Sequence, residues 1–434
     1  MRPLPPAARR SRRPPVLAAL LLLAAAIACG GDTASEAGSL QVSTEERGDT
    51  LVVRTLGDLA PAEELQLVEQ WRAGSADGDE ATSFARIHSV GITTNGDVLV
   101  FDAGGPVLRR YDATGALVRA IGRKGSGPGE YDRVNGVAVL TDGRTVIWDG
   151  AGNSRLNVYS AADSFLTQWT SPITGFNTST QSLLPLFDGR LSVRAYVRDT
   201  SLEREALGRT AWFVYDADGG MRDTISNPAP NEQSIMLVAR QEGSVSSRPV
   251  PYQPNSVAAL HPDGFVAWGP GEPYVLHARH AGRPLRIERS AAPIPVTDEE
   301  RSQTREQVIW GMRMTDPAWT WDGPDIPDRK PAVRGLLVTL DGQYLVSVST
   351  PSEPFEPDPP RVVEGQTPQP QVRFRSRTAY EIFAADGTLR GRFTLPFGAA
   401  VHALRGNEVW GSVTDEDDVP WLVHWTLEAP VATP

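Results

Sequence analysis

The chain has 434 residues, with 42 Lys+Arg against 53 Asp+Glu, a formal charge of −11 and a single cysteine. That length suffices for one large domain or two ordinary ones. An acidic surface repels phosphate backbones and argues against a nucleic-acid partner, and one thiol excludes any disulfide within the chain.

Arg2, Arg9, Arg10, Arg12 and Arg13 form a positive leader, followed from Val16 to Ala28 by the apolar run VLAALLLLAAAIA. The run is short for a bilayer span and fits a signal h-region, so residues 1–28 read as a signal peptide. Ala26-Ile27-Ala28-Cys29 resembles the lipobox of bacterial lipoprotein signals, with alanine where leucine usually stands. That resemblance implies cleavage before Cys29, acylation of its thiol and attachment to a membrane through the lipid. The alternative is an ordinary secretory signal that ends near a cysteine. Without the five leader arginines the formal charge moves from −11 to −16. Residues 29–48 are small, polar and aperiodic and read as a flexible tether. Gly30 and Gly31 follow the cysteine without an aspartate, which by resemblance to enteric sorting signals implies the outer membrane. The expected location is the cell envelope, facing the periplasm or the exterior.

Beyond the tether the chain repeats itself. Six segments share apolar alternation, a tight turn mostly built on Asp-Gly or Asn-Gly, further alternation, and a strand with an aromatic near its end. Their turn glycines, Gly96, Gly143, Gly189, Gly264, Gly342 and Gly406, stand 47, 46, 75, 78 and 64 residues apart. A four-stranded blade takes about 40–45 residues, so the longer intervals carry insertions. One blade cannot bury both faces alone, whereas a ring of them can. The expectation is an all-β fold over residues 49–430: a six-bladed β-propeller of four-stranded antiparallel blades. The blades fall near 85–122, 132–172, 180–228, 255–290, 333–395 and 399–428. The last lacks an outer strand, which residues 65–72 are expected to supply.

Between the first two units lies GRKGSGPGEY, Gly122 to Tyr131. A phosphate-binding P-loop needs Gly-Lys-Ser/Thr opening a helix; here Gly125 follows Lys124, Pro128 interrupts, and a strand comes next. It reads as a blade-to-blade turn. The same stretch, after Asp-Gly-bracketed strands, resembles the six-bladed NHL-like β-propellers of many bacterial lipoproteins, as does GLLVTLDGQYLV from Gly335. The resemblance runs from about Leu65 to Glu428 and implies the fold and an extracytoplasmic setting. It brings no catalytic residues.

Two insertions interrupt the blades. Residues 297–331 hold TDEERSQTREQVIWGMRM, with Thr297 and Glu300 spaced as a capping box, then Trp319 and Trp321. They predict a short helix between blades 4 and 5, its tryptophans either packed on the blade or open as a platform. Residues 351–371 are proline-rich and read as a hairpin extension.

For chemistry the sequence offers little. Asp102 and Asp149 hold matching places after Val100-Phe101 and Ile147-Trp148, where they reach a ligand or bond their own turns. Arg123, Lys124 and Glu130 lie on a blade-connecting loop and complete the candidate rim-binding set. His88, His261, His277, His280, His402 and His424 define no zinc spacing, so no metal ligands, cofactor or catalytic residues are assigned. The leading expectation is a lipid-anchored module binding a protein or small molecule at a propeller rim. The alternative is a hydrolase or lyase, lactonase- or amidating-lyase-like, with a metal in the central channel.

Overall fold

The computed structural model describes residues 40–430 apart from 77, 79–81, 106, 174–180, 197–209, 231–233 and 358–367. Six four-stranded antiparallel blades follow one another around an axis. Blade 1 comprises Ile87–Ile92, Val98–Asp102, Val107–Tyr111 and Leu117–Ile121, and blade 2 Gly136–Val139, Thr145–Asp149, Arg155–Tyr159 and Phe165–Thr170. Blade 3 comprises Leu183–Pro185, Leu191–Tyr196, Thr210–Tyr215 and Met221–Ser226. Blade 4 comprises Val257–Leu260, Val266–Gly269, Val275–His280 and Arg283–Ser290. Blade 5 takes Val333–Val338, Tyr344–Val348, Ala379–Phe383 and Leu389–Thr394. Blade 6 takes Ala399–Arg405, Glu408–Thr414 and Pro420–Glu428, and its outer strand is Gln66–Ala73, in register from Gln66↔Glu428 to Ala73↔Leu422.

The burial pattern follows from this stacking. Second strands such as Val98–Asp102 and Thr145–Asp149 are buried at every position, because both faces meet neighbouring blades. Outer strands such as Leu117–Ile121 are largely exposed. The apolar side chains accordingly gather into inter-blade cores, one for each successive pair. Ile147 packs with Leu99 and Phe101, Trp148 with Leu191, Trp212 with Leu260, Leu276 with Val346, Phe393 with Val423, and Trp410 with Val98. The last pair joins blade 6 to blade 1 and closes the ring.

The tight turns share one rim, where Gly96 (φ 90°) and Gly143 (φ 87°) take a left-handed conformation that a Cβ disfavours. Because strand direction alternates, the connections between blades and the loops after second strands share the other rim. The described parts of the insertions stand there. Helix α1, Asp298–Arg313, is capped by Thr297, whose side chain accepts from Glu300 N at 3.1 Å. Beside it runs a hairpin, Met236–Gln241 with Ser244–Pro249, which the repeat pattern did not anticipate. Leu237, Ala239, Val308, Met312 and Trp319 form a separate small core between the two. The proline-rich insertion contributes the short pair Ser352–Pro354 and Phe374–Ser376.

The stretch expected as tether differs in part. Gln41–Arg47 is a strand paired with Thr50–Leu56, and the latter runs parallel to Arg283–Ser290, extending blade 4 to six strands. Arg54 pairs with Glu288 at 2.6 Å across that seam. Residues 1–39, including the signal segment and Cys29, lie outside the described residues.

Candidate functional site

The turn Gly122–Tyr131 is held from beneath. Arg155, buried on the third strand of blade 2, donates to the carbonyls of Ser126, Gly127 and Glu130 at 3.0, 2.8 and 2.7 Å. Asn157 donates to Glu130 O and Tyr159 to Gly129 O. Carbonyls therefore converge on a protein cation, the reverse of amides converging on an anion. Arg123 is 81% exposed and pairs with Glu130 at 2.6 Å, while Lys124 reaches Asp132 at 3.8 Å. Backbone N–H of Gly127 and the Arg123 guanidinium hold the Glu130 carboxyl below its ordinary range.

Asp102 and Asp149 are both buried and do the same work in adjacent blades. Asp102 accepts from the amides of Ala85, Arg86 and Gly104 at 3.0, 2.8 and 3.1 Å. Asp149 accepts from those of Asp132 and Arg133 and from the Asn153 side chain. Each clasps the chain as it enters the innermost strand. The two carboxylates are engaged within their own blades; Asp102 also lines a cavity of about 650 Å³ beside blade 1, with Phe84, Val107 and Arg109, whose lining includes neither Arg123 nor Lys124.

The six histidines are dispersed. His261 stacks on Phe265 at 4.4 Å, accepts from Asp263 N at Nδ1 and donates from Nε2 to Gly342 O. His277 stacks on Trp268 and His424 on Trp410, at 4.3 and 5.0 Å. His280 ends the third strand of blade 4. Only His88 and His402 approach one another near the axis. Burial, and then His88, push His402 down to about 4, and its Nε2 lies 2.9 Å from Ser412 Oγ.

The innermost strands line the axis. A space of about 50 Å³ remains, walled by Val90, Ile92, Val137, Val139, Leu184 and Leu404 among others. Gln181 of blade 3 reaches across to blade 5, donating to Val338 O at 2.6 Å. A catalytic metal needs three protein donors and an open position. This wall supplies His402 and an amide already engaged, and among the described residues no three His, Cys, Asp or Glu side chains converge. A channel metal does not fit this donor set.

Among the described residues, two large cavities lie off the axis: one of about 650 Å³ beside blade 1, and a second that involves the insertions. On the loop rim, beside blades 4 and 5, a cleft of about 640 Å³ opens between Ser290–Ile294, Pro327–Ala332 and the Glu272–Tyr274 loop. Its floor is the Arg289–Glu381 pair, with 1% and 3% of the two side chains exposed. Arg289 Nε and Nη2 donate to Glu381 Oε1 at 3.3 and 3.2 Å, and Tyr274 donates to Oε2 at 2.9 Å. Burial, reinforced by the Glu381 charge, pushes the Tyr274 phenol well above its ordinary value. Arg289 Nη1 also donates to Gly57 O, tying in the N-terminal hairpin.

The second wall is a lock between insertions. Lys330 Nζ lies 2.9 Å from Glu300 Oε1, with 4% of each side chain exposed, and donates to Thr350 O, Ser352 Oγ and Ser376 Oγ. Ser352 and Tyr252 also donate to Glu300 Oε1, at 2.6 and 2.8 Å. Tyr252 sits at φ 60°, a conformation that costs a bulky residue free energy and persists only when its surroundings impose it. Helix α1, the Lys330 approach and the proline-rich pair are thus fixed at one buried point. Glu300 amide completes the cap as the spacing predicted, but its side chain turns into this lock and not back to the helix start. Gln303 extends the contact, donating to Phe374 O and accepting from Phe374 N.

The tryptophans pack the cap together. Trp319 is buried and donates to Val238 O, and Trp321 lies under the Arg305 guanidinium at 4.7 Å. Trp310 is half-buried on the helix.

No family model matches the chain. No curated protein matches it in sequence either. Similar solved structures include a member of the duf4221 family from Bacteroides vulgatus, at 10% identity over 85% of this chain and 99% of that one, TM-score 0.47. A catalytically inactive virginiamycin B lyase from Staphylococcus aureus is 9% identical over 84% and 100%, TM-score 0.37. A gluconolactonase from Xanthomonas campestris is 14% identical over 83% and 98%, TM-score 0.36. The activities in those names belong to those proteins.

Proposed function

We propose that this chain is an extracytoplasmic binding module, tied to a membrane by a lipid on Cys29, that takes its ligand in the loop-rim cleft beside blades 4 and 5. One observation carries the reading. The cleft's volume of about 640 Å³ lies within the range of small-molecule sites, as does the cavity of about 650 Å³ beside blade 1. The cleft is the one of the two walled by the insertions locked at Lys330 and Glu300; the axis retains about 50 Å³. Support comes from the rigidity of the walls, which rest on two buried ion pairs and so present a preformed surface. The leader and the lipobox-like tetrad support export and anchoring, and the Gly30-Gly31 start supports the outer membrane.

Ala292 is exposed on the cleft wall, so Ala292→Trp fills the space without entering a core. A fluorine-NMR fragment screen of the full chain should give hits that this variant loses. Hits that persist undiminished in Ala292→Trp would place binding elsewhere. For the anchor, Cys29→Ala should abolish palmitate labelling and release the protein from the membrane fraction; continued labelling would refute the lipid assignment.

A further inference from the structure

We infer that the cleft takes a short peptide with free termini, binding its ammonium and its carboxylate and preferring a basic side chain; this rests on the reading of the cleft as the ligand site. The lining carries two kinds of charge. Arg289 faces Glu381, Lys330 faces Glu300 and Arg392 faces Glu64, so those three cations are matched inside the protein. Arg329, Asp58 and Glu272 also line the cleft and are exposed, and among the described residues none of the three enters an ion pair.

Each wall brings one of these open charges, and the backbone places it. Asp58 follows the N-terminal hairpin, which Arg289 ties in through Gly57 O, and its oxygens accept from Ala292 N at 3.2 and 3.3 Å. Glu272 accepts from Ala332 N at 3.1 Å through Oε2. Arg329 is set by the bridge of its backbone to Pro295, beside Lys330, whose amide donates to Ile294 O at 2.9 Å. An ionised carboxylate has about four lone-pair sites, so a single amide leaves room for a ligand's ammonium. A guanidinium without a protein partner offers a fork that matches a ligand's carboxylate.

Open charges of both signs select a ligand that carries both, because a ligand of one sign meets a repulsion with every attraction. Two carboxylates stand against one guanidinium, which favours an additional cation on the ligand. Proline shapes the rest. Pro254, Pro273, Pro293, Pro327, Pro331 and Pro351 line the cleft without an N–H, so they cannot pair with a ligand's backbone as a strand would. Recognition falls to the ligand's charged ends, and the proline rings with Tyr252 and Tyr274 give its side chains an apolar surface. Charged at both ends, with side chains between, describes a short peptide.

The test is titration calorimetry on the detergent-solubilised full chain. The probes are alanyl-lysyl-alanine, trialanine and alanyl-glutamyl-alanine, each also N-acetylated and C-amidated. The lysyl peptide should bind tightest and the glutamyl peptide weakest, with added salt weakening the former. Amidation should weaken binding to the parent about two- to fivefold and leave binding to Arg329→Gln unchanged. Acetylation should show the same relation to the double variant Asp58→Asn with Glu272→Gln. No binding by any probe, a glutamyl peptide bound tightest, or amidation equally costly in Arg329→Gln overturns the inference. If fluorine-NMR fragment hits that Ala292→Trp removes accompany such a result, the peptide class falls while the cleft stands. Peptide affinity that Ala292→Trp leaves unchanged would remove the cleft itself.

Discussion

Replacing Lys330 with methionine keeps the aliphatic stem and removes only the ammonium. Glu300 then keeps two hydroxyl donors but loses its counter-charge, with 4% of its side chain in contact with solvent. Thr350 O, Ser352 Oγ and Ser376 Oγ lose the same donor. Leaving one partner of a buried pair uncompensated costs about 3–5 kcal/mol. Replacing both partners by apolar groups of similar size is far cheaper, so Lys330→Met with Glu300→Met should recover most of the loss. Guanidinium unfolding followed by tryptophan emission reads the loss over the whole chain, because tryptophans lie both in the cap core, Trp319, and in the blade cores, Trp148 and Trp410. Proteolysis at helix α1 checks that the loss is local. A single variant within about 1 kcal/mol of the parent, or a double variant as costly as the two singles added, would refute the lock.

The lock also fixes a pH dependence. Burial alone would raise the Glu300 carboxyl, but hydrogen bonds from Ser352, Lys330 and Tyr252 outweigh it and hold the group below its ordinary 4.5. A depressed carboxyl contributes its full stability above the unfolded value and loses it as pH falls through the folded one. The cap should therefore loosen below about pH 4.5 in the parent chain, and the double variant should lack that component.

Three further outcomes follow from the blades. Arg155→Met removes a donor from three carbonyls of the Gly122–Tyr131 turn, of which Glu130 O keeps Asn157 and Gly127 O keeps Glu130 N, and should cost about 1–3 kcal/mol by denaturation; an unchanged midpoint would mean the turn supports itself. Asp149→Ala strands two backbone amides at the entrance to blade 2 and should cost about 2–4 kcal/mol, with faster exchange at Asp132 and Arg133. His402 should stay neutral until about pH 4 in an NMR titration, since the channel wall excludes its charged form; a midpoint near 6.5 would show solvent reaching the axis.

Much of the ring was readable because its signals are local. Each tight turn carries its glycine in sequence, and runs such as Val98–Phe101 announce a strand buried on both faces. The helix start was readable from Thr297 and Glu300 for the same reason. The cleft was not, because its groups meet only in space. Arg289 and Glu381 stand 92 positions apart, and Tyr252 and Glu300 stand 48 apart, with no motif linking them. Lys330 carries no sequence signal of its four partners. The N-terminal pairing escaped for a related reason: Gln41–Arg47 is exposed along its whole length and largely polar, and the seam made by its partner strand Thr50–Leu56 lies across 234 residues at Arg54 and Glu288. Asp102 and Asp149 were conspicuous by position, and their geometry engages them with backbone amides.

Hydrogen exchange by mass spectrometry, run with and without the tightest-binding fragment, bears most directly on where this propeller binds. Slowed exchange confined to residues 289–294 and 327–332 is the predicted pattern. Slowed exchange at 90–92, 137–139 and 183–185 instead, with the cleft segments unchanged, would show that the ligand enters along the axis and contradict the account.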